Sequence, residues 1–79
     1  MTENAQNLLI EPALVGVDDA ASMLGISVTA FKALDRVGQI GILPIRIGTL
    51  QRRLYSVCEL RRWAGAGCPT RERWQEMKD

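Results

Sequence analysis

Basic residues are concentrated in the middle of the chain, and most of them are arginine. Residues 30–73 carry nine basic and three acidic residues, whereas residues 1–29 carry four acidic residues and no basic one. Eight of those nine basic residues are Arg, whose planar guanidinium suits phosphate oxygens and guanine edges better than an ammonium does. This separation of charge predicts one surface for a polyanion. Because the net charge is only +1, a solvated surface with paired charges is the alternative.

Residues that carry enzymatic chemistry are scarce. The chain has no His, the commonest general base, and Cys58 and Cys68 alone make a poor zinc site. The sequence shows no nucleophile–base pair and no phosphate-binding loop, so we expect no catalysis, cofactor or metal. It also shows no membrane span or secretion signal, which predicts a cytoplasmic protein whose cysteines are free thiols.

The length of 79 residues allows one domain with a small core. We expect a flexible arm at residues 1–13, a folded domain at residues 14–65, and a tail with a short helix at residues 66–79. In the arm, the apolar cluster around Leu9 serves either the core or self-association. In the tail, Trp74 either packs on the domain or contacts a partner.

Two short helices are predicted after an extended piece at Leu14 and Val15. Asp18 is the expected N-cap of the first helix, and Gly25 ends it. The apolar face of this helix is formed by Val17, Ala20, Ala21 and Leu24. Ser27 caps the second helix, expected from about residue 28 to residue 37. Its inward residues are Ala30, Phe31, Leu34 and Val37. A link of about three residues makes the two helices cross steeply, as in a helix-turn-helix.

The outward face of the second helix has the mixture of side chains that a DNA major groove requires. Thr29, Lys32, Ala33 and Arg36 recur at i, i+3, i+4 and i+7. The candidate contact residues of this recognition helix are Ser27, Val28, Thr29, Lys32, Ala33 and Arg36. An ordinary solvated helix face is the alternative.

A two-stranded hairpin, or wing, is predicted after the second helix. Residues 45–47 and 51–55 are the expected strands, joined by a turn at residues 48–50. The candidate contact residues of the wing are Arg46, Thr49, Gln51, Arg52 and Arg53. Because an isolated hairpin is marginal in water, it must lean on the helices. The residues expected to make that contact are Ile45, Ile47, Leu54 and Tyr55.

A third helix opens with a capping box formed by Ser56 and Glu59. Its expected core residues are Val57, Leu60, Trp63 and Ala64, and Arg61 and Arg62 are expected to face outward. Thr70 and Arg73 bracket the expected start of a fourth, short helix.

The order and spacing of these features resemble a known family. The stretch Val17–Ser27, the glycine at Gly38, the Arg-rich segment 46–55 and the motif Leu60–Trp63 are similar to MerR-like winged helix-turn-helix domains, especially the excisionase and AlpA-like groups. The resemblance extends over about residues 14–74. It implies a mostly helical fold with a small β-hairpin wing, in which the second helix enters the major groove and the wing lies over the adjacent minor groove or backbone.

The resemblance also implies a function. Excisionases bind double-stranded DNA in several copies, bend it, and direct an integrase or recombinase toward excision. About five phosphate contacts would give a log–log salt slope of about −4 to −5. This interpretation requires Lys32, Arg36 and the wing arginines to share one surface while the acidic start of the chain points elsewhere.

Two alternatives remain open. A small transcriptional regulator of a mobile element would use the same contacts on DNA. A protein-interaction adaptor or antitoxin, which belongs to another functional class, would use the same scaffold without DNA. The wing arginines favour DNA over the adaptor.

Overall fold

A computed structural model describes residues 11–78 of the chain. The elements in chain order are β1 (Leu14–Val15), α1 (Val17–Met23), α2 (Val28–Arg36), β2 (Tyr55–Ser56), α3 (Val57–Gly65) and α4 (Arg71–Lys78). About half of the described residues are helical, so the fold is a small α+β arrangement of four helices and one two-stranded sheet. None of the helices in this range has the length and apolar character needed to cross a membrane. Leu9 lies outside the described residues.

The sheet joins two segments that are far apart in the sequence. β1 runs antiparallel to β2, with Leu14 opposite Ser56 and Val15 opposite Tyr55. The pairing continues where the Val57 N–H donates to the carbonyl of Ala13 at 3.0 Å. The sheet therefore attaches the start of the folded region to the start of α3. The helices α1 and α2 and the loop after them lie between the two paired strands in the sequence.

Helix α1 begins earlier than its sequence predicts. Gly16, and not Asp18, is the N-cap, and its carbonyl accepts from the Ala20 N–H at 2.9 Å. Because β1 ends at Val15, the chain turns into the helix at once, which places Asp18 in the first turn with an exposed side chain. The expected end is confirmed, since Gly25 has a φ of 76°.

Helix α2 has the expected N-cap but is rotated from the expected orientation. The Ser27 hydroxyl accepts from the Ala30 N–H at 3.1 Å, and Phe31 is buried. The prediction that Leu34 and Val37 face inward is wrong, because their exposed fractions are 39% and 67%. Asp35 takes the inner position one turn after Phe31, where neighbouring arginines compensate its charge.

The segment after α2 supplies two core residues that the sequence did not reveal. Ile40 and Ile42 are fully buried. Gly41 lies between them against the indole of Trp63, and a Cβ at this position would overlap that ring. The Trp63 indole N–H donates to the Pro69 carbonyl at 2.8 Å. Close packing between Gly41 and Trp63 therefore fixes the position of residues 40–42.

Helices α3 and α4 close the core from the C-terminal side. Val57, Leu60 and Trp63 are buried as predicted. Ala64 is exposed, contrary to expectation, because the chain after α3 returns along the Trp63 side through Pro69. Trp74 of α4 is only 4% exposed and belongs to the core cluster, so the packing alternative holds for this side chain. The last helix thus shares the core of the preceding elements.

The predicted two-stranded wing is reduced to a single bridge. Ile45 and Leu54 exchange two backbone hydrogen bonds, of 2.6 and 3.1 Å. The next residue, Tyr55, pairs with β1 instead, which removes it from the hairpin. Leu54 and Tyr55 are buried as expected, but Ile45 and Ile47 are exposed, contrary to expectation. We refer to residues 45–54 as the arginine loop.

One of the two hydrogen bonds of the capping box is present, and the Glu59 side chain bonds other partners. The Ser56 hydroxyl accepts from the Glu59 N–H at 3.1 Å. The Glu59 carboxylate does not return to Ser56; it accepts from the Trp74 indole N–H at 3.1 Å and from the Lys78 ammonium at 2.6 Å. Burial raises the pKa of Glu59, but the hydrogen bonds from Lys78 and Trp74 outweigh burial, so the net pKa lies below its ordinary value.

We expect Glu59→Gln to lower the free energy of unfolding by about 1–2 kcal/mol near neutral pH, because a charged acceptor of two hydrogen bonds is lost. The pKa of Glu59 is lower in the folded than in the unfolded chain, so its contribution is complete above the unfolded value of about 4.5 and disappears as the pH falls through the folded value. Urea unfolding of both proteins at neutral and acidic pH measures this difference. Glu76→Gln, at an exposed position of α4, is the matched control. A difference between wild type and Glu59→Gln that does not shrink in acid would contradict the assignment.

Candidate nucleic-acid interface

Four basic side chains from two separate parts of the chain line one open cleft of about 820 Å³. Lys32 and Arg36 come from α2, and Arg52 and Arg53 come from the end of the arginine loop. The structure therefore brings cations of the predicted recognition helix and of the predicted wing to one concave surface, which we call the basic cleft.

Local structure holds both pairs of cations in place. Lys32 and Arg36 are one helical turn apart on the exposed side of α2. Arg53 directly precedes Leu54, which is buried and bridges to Ile45. Arg52 reaches back to the start of α1, where a Cβ on Gly16 would lie 2.8 Å from its Nη2 atom. The missing side chain at Gly16 thus leaves room for the Arg52 guanidinium.

Three carboxylates line the same cleft, namely those of Asp18, Asp19 and Asp35. The expectation that the acidic start of the chain points elsewhere is therefore wrong for Asp18 and Asp19. The physical reason is the sharp entry into α1 at Gly16, which places the first turn of that helix beside α2 and the end of the arginine loop. The cleft has an excess of only one positive charge, so its field is weaker than the arginine count alone suggests.

Asp35 compensates the charge of two arginines. One of its oxygens lies 2.5 Å from Arg71 Nη2, and the other lies 3.5 Å from Arg53 Nη1. Arg71 also donates to the carbonyls of Ile40, at 3.1 Å, and of Asp35, at 3.2 Å. Arg71 is therefore a structural residue that attaches α4 to the end of α2, a role that its place in an Arg-rich segment did not indicate.

The remaining cations of the cleft are available for a ligand. Within residues 11–78, Lys32, Arg36 and Arg52 form no ion pair, whereas Arg53 shares Asp35 with Arg71. The basic cleft thus contains three cations that form no ion pair within this range and one, Arg53, that shares its carboxylate with Arg71. Oriented cations in an open cleft attract the phosphates of a polyanion.

Tyr55 lies near Asp35 and Arg53, both of which affect the pKa of its hydroxyl. Its ring is fully buried and meets Phe31 edge to face, with centroids 5.4 Å apart and an interplanar angle of 77°. Burial raises the pKa of Tyr55 above its ordinary value; Asp35 adds to this, and Arg53 and Arg71 oppose it. Arg53 lies close enough to act on the Tyr55 hydroxyl, yet no group among residues 11–78 forms a hydrogen bond of good geometry with it.

The other predicted contact residues lie outside the basic cleft. Ser27, Thr29 and Ala33 are exposed on or just before α2, whereas Val28 is half-buried against the core and does not face outward. Arg46, Thr49 and Gln51 are exposed in the arginine loop and are linked to one another. The Arg46 guanidinium donates to the Gln51 carbonyl at 3.0 Å, and the Gln51 side-chain amide donates to the Thr49 carbonyl at 3.3 Å.

Four residues of the cleft were not predicted as site residues from the sequence, namely Gly16, Asp18, Asp19 and Asp35. Of these four, only Asp35 has a sequence position that indicates a place in the site, because it lies between Lys32 and Arg36 on a short helix. Comparisons of this chain with family models, with curated proteins and with solved structures found no match.

We expect Tyr55→Phe to leave the stability unchanged or to raise it by up to about 1 kcal/mol, because the substitution removes a buried hydroxyl for which residues 11–78 provide no hydrogen-bond partner. The phenyl ring fills the same space and keeps its contact with Phe31. Urea unfolding of the two proteins measures the change. A clear loss of stability would contradict the prediction and would show that the hydroxyl bonds a neighbour such as Arg53 in solution.

Proposed function

We propose that this protein binds double-stranded DNA as a winged helix-turn-helix module, with α2 as the recognition helix and the arginine loop as the wing. The observation that carries the proposal is the convergence of Lys32 and Arg36 with Arg52 and Arg53 in one cleft. These residues come from two segments that are far apart in the sequence. Their meeting on one surface is therefore a property of the fold.

The dimensions of α2 support this role. An α-helix with its side chains is about 10–12 Å wide, and the major groove of B-DNA is about 12 Å wide. The outward side of α2 carries Thr29, Lys32 and Arg36, which are able to donate to base edges or phosphates. Arg52 and Arg53 lie beside this helix, where they would contact the backbone next to the occupied groove.

Within DNA-binding functions, we favour an architectural role of the excisionase type. One module of this size buries only about 600–1,000 Å² on DNA, so useful occupancy requires several copies on neighbouring sites. Copies placed side by side bend the duplex and thereby help to assemble a recombinase complex. A small transcriptional regulator is the alternative within the same class, with the same surface on DNA.

The carboxylates of the cleft lower the expected strength of binding. Of the four cations that line the cleft, three lack an ion pair within residues 11–78, and each phosphate contact contributes about −0.9 to the log–log salt slope. We therefore expect a slope of about −3 for one module, shallower than the cation count of the sequence suggests.

Asp18 and Asp19 favour a second candidate function, namely binding of a protein partner. Phosphates are repelled by exposed carboxylates, whereas a protein segment with both signs of charge is complementary to a cleft that contains both. This candidate corresponds to an adaptor or antitoxin on the same scaffold.

We expect Arg52→Ala combined with Arg53→Ala to weaken binding to duplexes of any sequence by about tenfold or more and to reduce the salt slope by about 1, because Arg52 is one of the three expected phosphate contacts whereas Arg53 is paired with Asp35. Fluorescence anisotropy with short labelled duplexes across a salt series measures both quantities. Arg62→Ala combined with Arg73→Ala is the matched control, since it removes two exposed arginines that do not line the cleft.

The single variant Arg52→Ala is measured beside the double variant. Arg53 contacts Asp35, so the loss of Arg53 also affects folding. If wild type, the single variant and the double variant bind the duplexes with equal affinity, the assignment of the cleft to DNA is refuted.

We expect Asp18→Asn combined with Asp19→Asn to increase affinity for duplexes of random sequence several-fold at low salt, because two repulsive charges are removed from the cleft. The same titration measures the change, and Glu72→Gln combined with Glu76→Gln, at exposed positions of α4, is the control. A loss of affinity would mean that the two carboxylates accept hydrogen bonds from bases. No change at low salt would favour the protein-partner function.

A further inference from the structure

The Asp35 carboxylate is shared by two arginines that come from different parts of the molecule. Arg53 lines the basic cleft, whereas Arg71 belongs to α4 and is not among the residues that line it. Arg71 Nη2 lies 2.5 Å from one carboxylate oxygen, and Arg53 Nη1 lies 3.5 Å from the other. One negative charge is therefore divided between a cation of the cleft and a cation outside it.

The two contacts differ in strength. Arg71 lies within hydrogen-bond distance of the carboxylate, and its guanidinium also donates to the backbone carbonyls of Ile40 and Asp35. The Arg53 contact is longer than a hydrogen bond, so only charge attraction acts across it. The Arg53 side chain is also the more exposed of the two, at 52% against 32%. Asp35 consequently holds Arg71 firmly and Arg53 loosely.

The carboxylate couples the two arginines to each other. The Asp35 side chain is only 17% exposed, and a carboxylate in such a position requires a cation. Arg71 meets this requirement from outside the cleft. Without Arg71, Arg53 is the one cation among residues 11–78 that still contacts Asp35. The attraction would then draw Arg53 into a direct hydrogen bond of about 2.7–2.9 Å.

We infer that Arg71 is a positioning residue of the basic cleft, because it satisfies Asp35 from outside and thereby keeps the charge of Arg53 available to a phosphate of bound DNA. This inference rests on the proposed function and deepens it, because it names what regulates the cleft. Helix α4 contributes no residue to the cleft, yet it sets how strongly the cleft attracts a polyanion. Loss of the Arg71 contact weakens ligand binding and leaves the cleft open.

Other contacts keep α4 in place when Arg71 is changed. Trp74 is 4% exposed and belongs to the core cluster. Its indole N–H donates to the Glu59 carboxylate at 3.1 Å, and the Lys78 ammonium donates to the same carboxylate at 2.6 Å. We therefore expect a substitution of Arg71 to alter the surroundings of Asp35 while the helix stays attached to the core.

The test is a double-mutant cycle of Arg71→Gln and Asp35→Asn. Fluorescence anisotropy with one short labelled duplex at fixed low salt measures the affinity of wild type, of each single variant and of the double variant. Arg73→Gln, which removes an exposed cation from the same helix, is the matched control for Arg71→Gln. Arg71→Gln combined with Glu76→Gln has the net charge of the double variant but keeps the Asp35 carboxylate, so it controls for net charge.

We expect Arg71→Gln to bind the duplex about fivefold more weakly than wild type, because Asp35 then holds Arg53. Asp35→Asn should raise the affinity about twofold in wild type but about tenfold in the Arg71→Gln background, where it releases Arg53. Arg73→Gln should change the affinity by less than about twofold, and the net-charge control should stay as weak as Arg71→Gln. A purely structural role of Arg71 predicts no such recovery, because the double variant still lacks the contact between α4 and α2.

A second measurement follows Arg53 without DNA. NMR of isotope-labelled protein measures solvent exchange of the Arg53 Nε–H, which Arg53→Lys assigns. This exchange should slow in Arg71→Gln and return at least to the wild-type rate when Asp35→Asn is added, because a direct hydrogen bond protects the guanidinium. Arg71→Lys keeps the cation but not the planar guanidinium, so it should keep the wild-type affinity even if it lowers stability. Urea unfolding establishes that each variant is folded.

Three results would overturn the role of Arg71 and leave DNA binding intact. The first is an equal effect of Asp35→Asn on affinity in both backgrounds, and the second is unchanged exchange of Arg53 in Arg71→Gln. The third is a loss of affinity in Arg71→Lys as large as that expected for Arg71→Gln. Absence of any duplex binding by wild type would instead refute the proposed function, and the exchange of Arg53 would still decide whether Arg71 controls its contact with Asp35.

Discussion

The Asp35 carboxylate connects three parts of the molecule, namely α2, the arginine loop and α4. It occupies the inner side of α2, where an apolar residue would ordinarily be found, and contacts Arg71 at 2.5 Å and Arg53 at 3.5 Å. A partly buried charge is tolerated only when it is paired, so these arginines determine the rotation of α2. The same contacts attach α4 to the core and hold the end of the arginine loop beside α2.

The rotation of α2 has direct consequences for function. It directs Leu34 toward solvent and keeps Lys32 and Arg36 on the side that faces Arg52. It also brings α2 beside the first turn of α1, whose two carboxylates enter the basic cleft. The cleft therefore combines attraction for phosphates with local repulsion. For a DNA-binding module, such a balance weakens nonspecific contact with the backbone and leaves a larger share of the free energy to base edges and DNA shape.

The arginine loop shows how competition for backbone hydrogen bonds determines the form of a small protein. The backbone of Tyr55 can pair with only one of two segments, the first half of the loop or β1. Pairing with β1 buries the Tyr55 ring against Phe31, a gain that a free hairpin would not provide. The remaining loop is held by one bridge and its own hydrogen bonds, and its aliphatic side chains stay at the surface.

Features that depend on local interactions were predictable from the residues alone. Ser27, Gly25 and Ser56 marked helix ends correctly, because caps and left-handed glycines act within one turn of the chain. The periodic apolar residues of α1 and α3 predicted most of their buried faces for the same reason. The cations of α2 and of the loop were also identified as candidates from residue type and spacing alone.

Which of these residues meet depends on packing between distant segments, and no local pattern predicted it. The rotation of α2 follows from Arg71, which lies 36 positions after Asp35, and no local pattern encodes such a contact. The loss of the second wing strand follows from the pairing of Tyr55 with Val15, and the entry of Asp18 into the cleft follows from the turn at Gly16. Each depends on packing between distant segments, where the free energy of a contact is set by which surfaces become adjacent after the chain has folded.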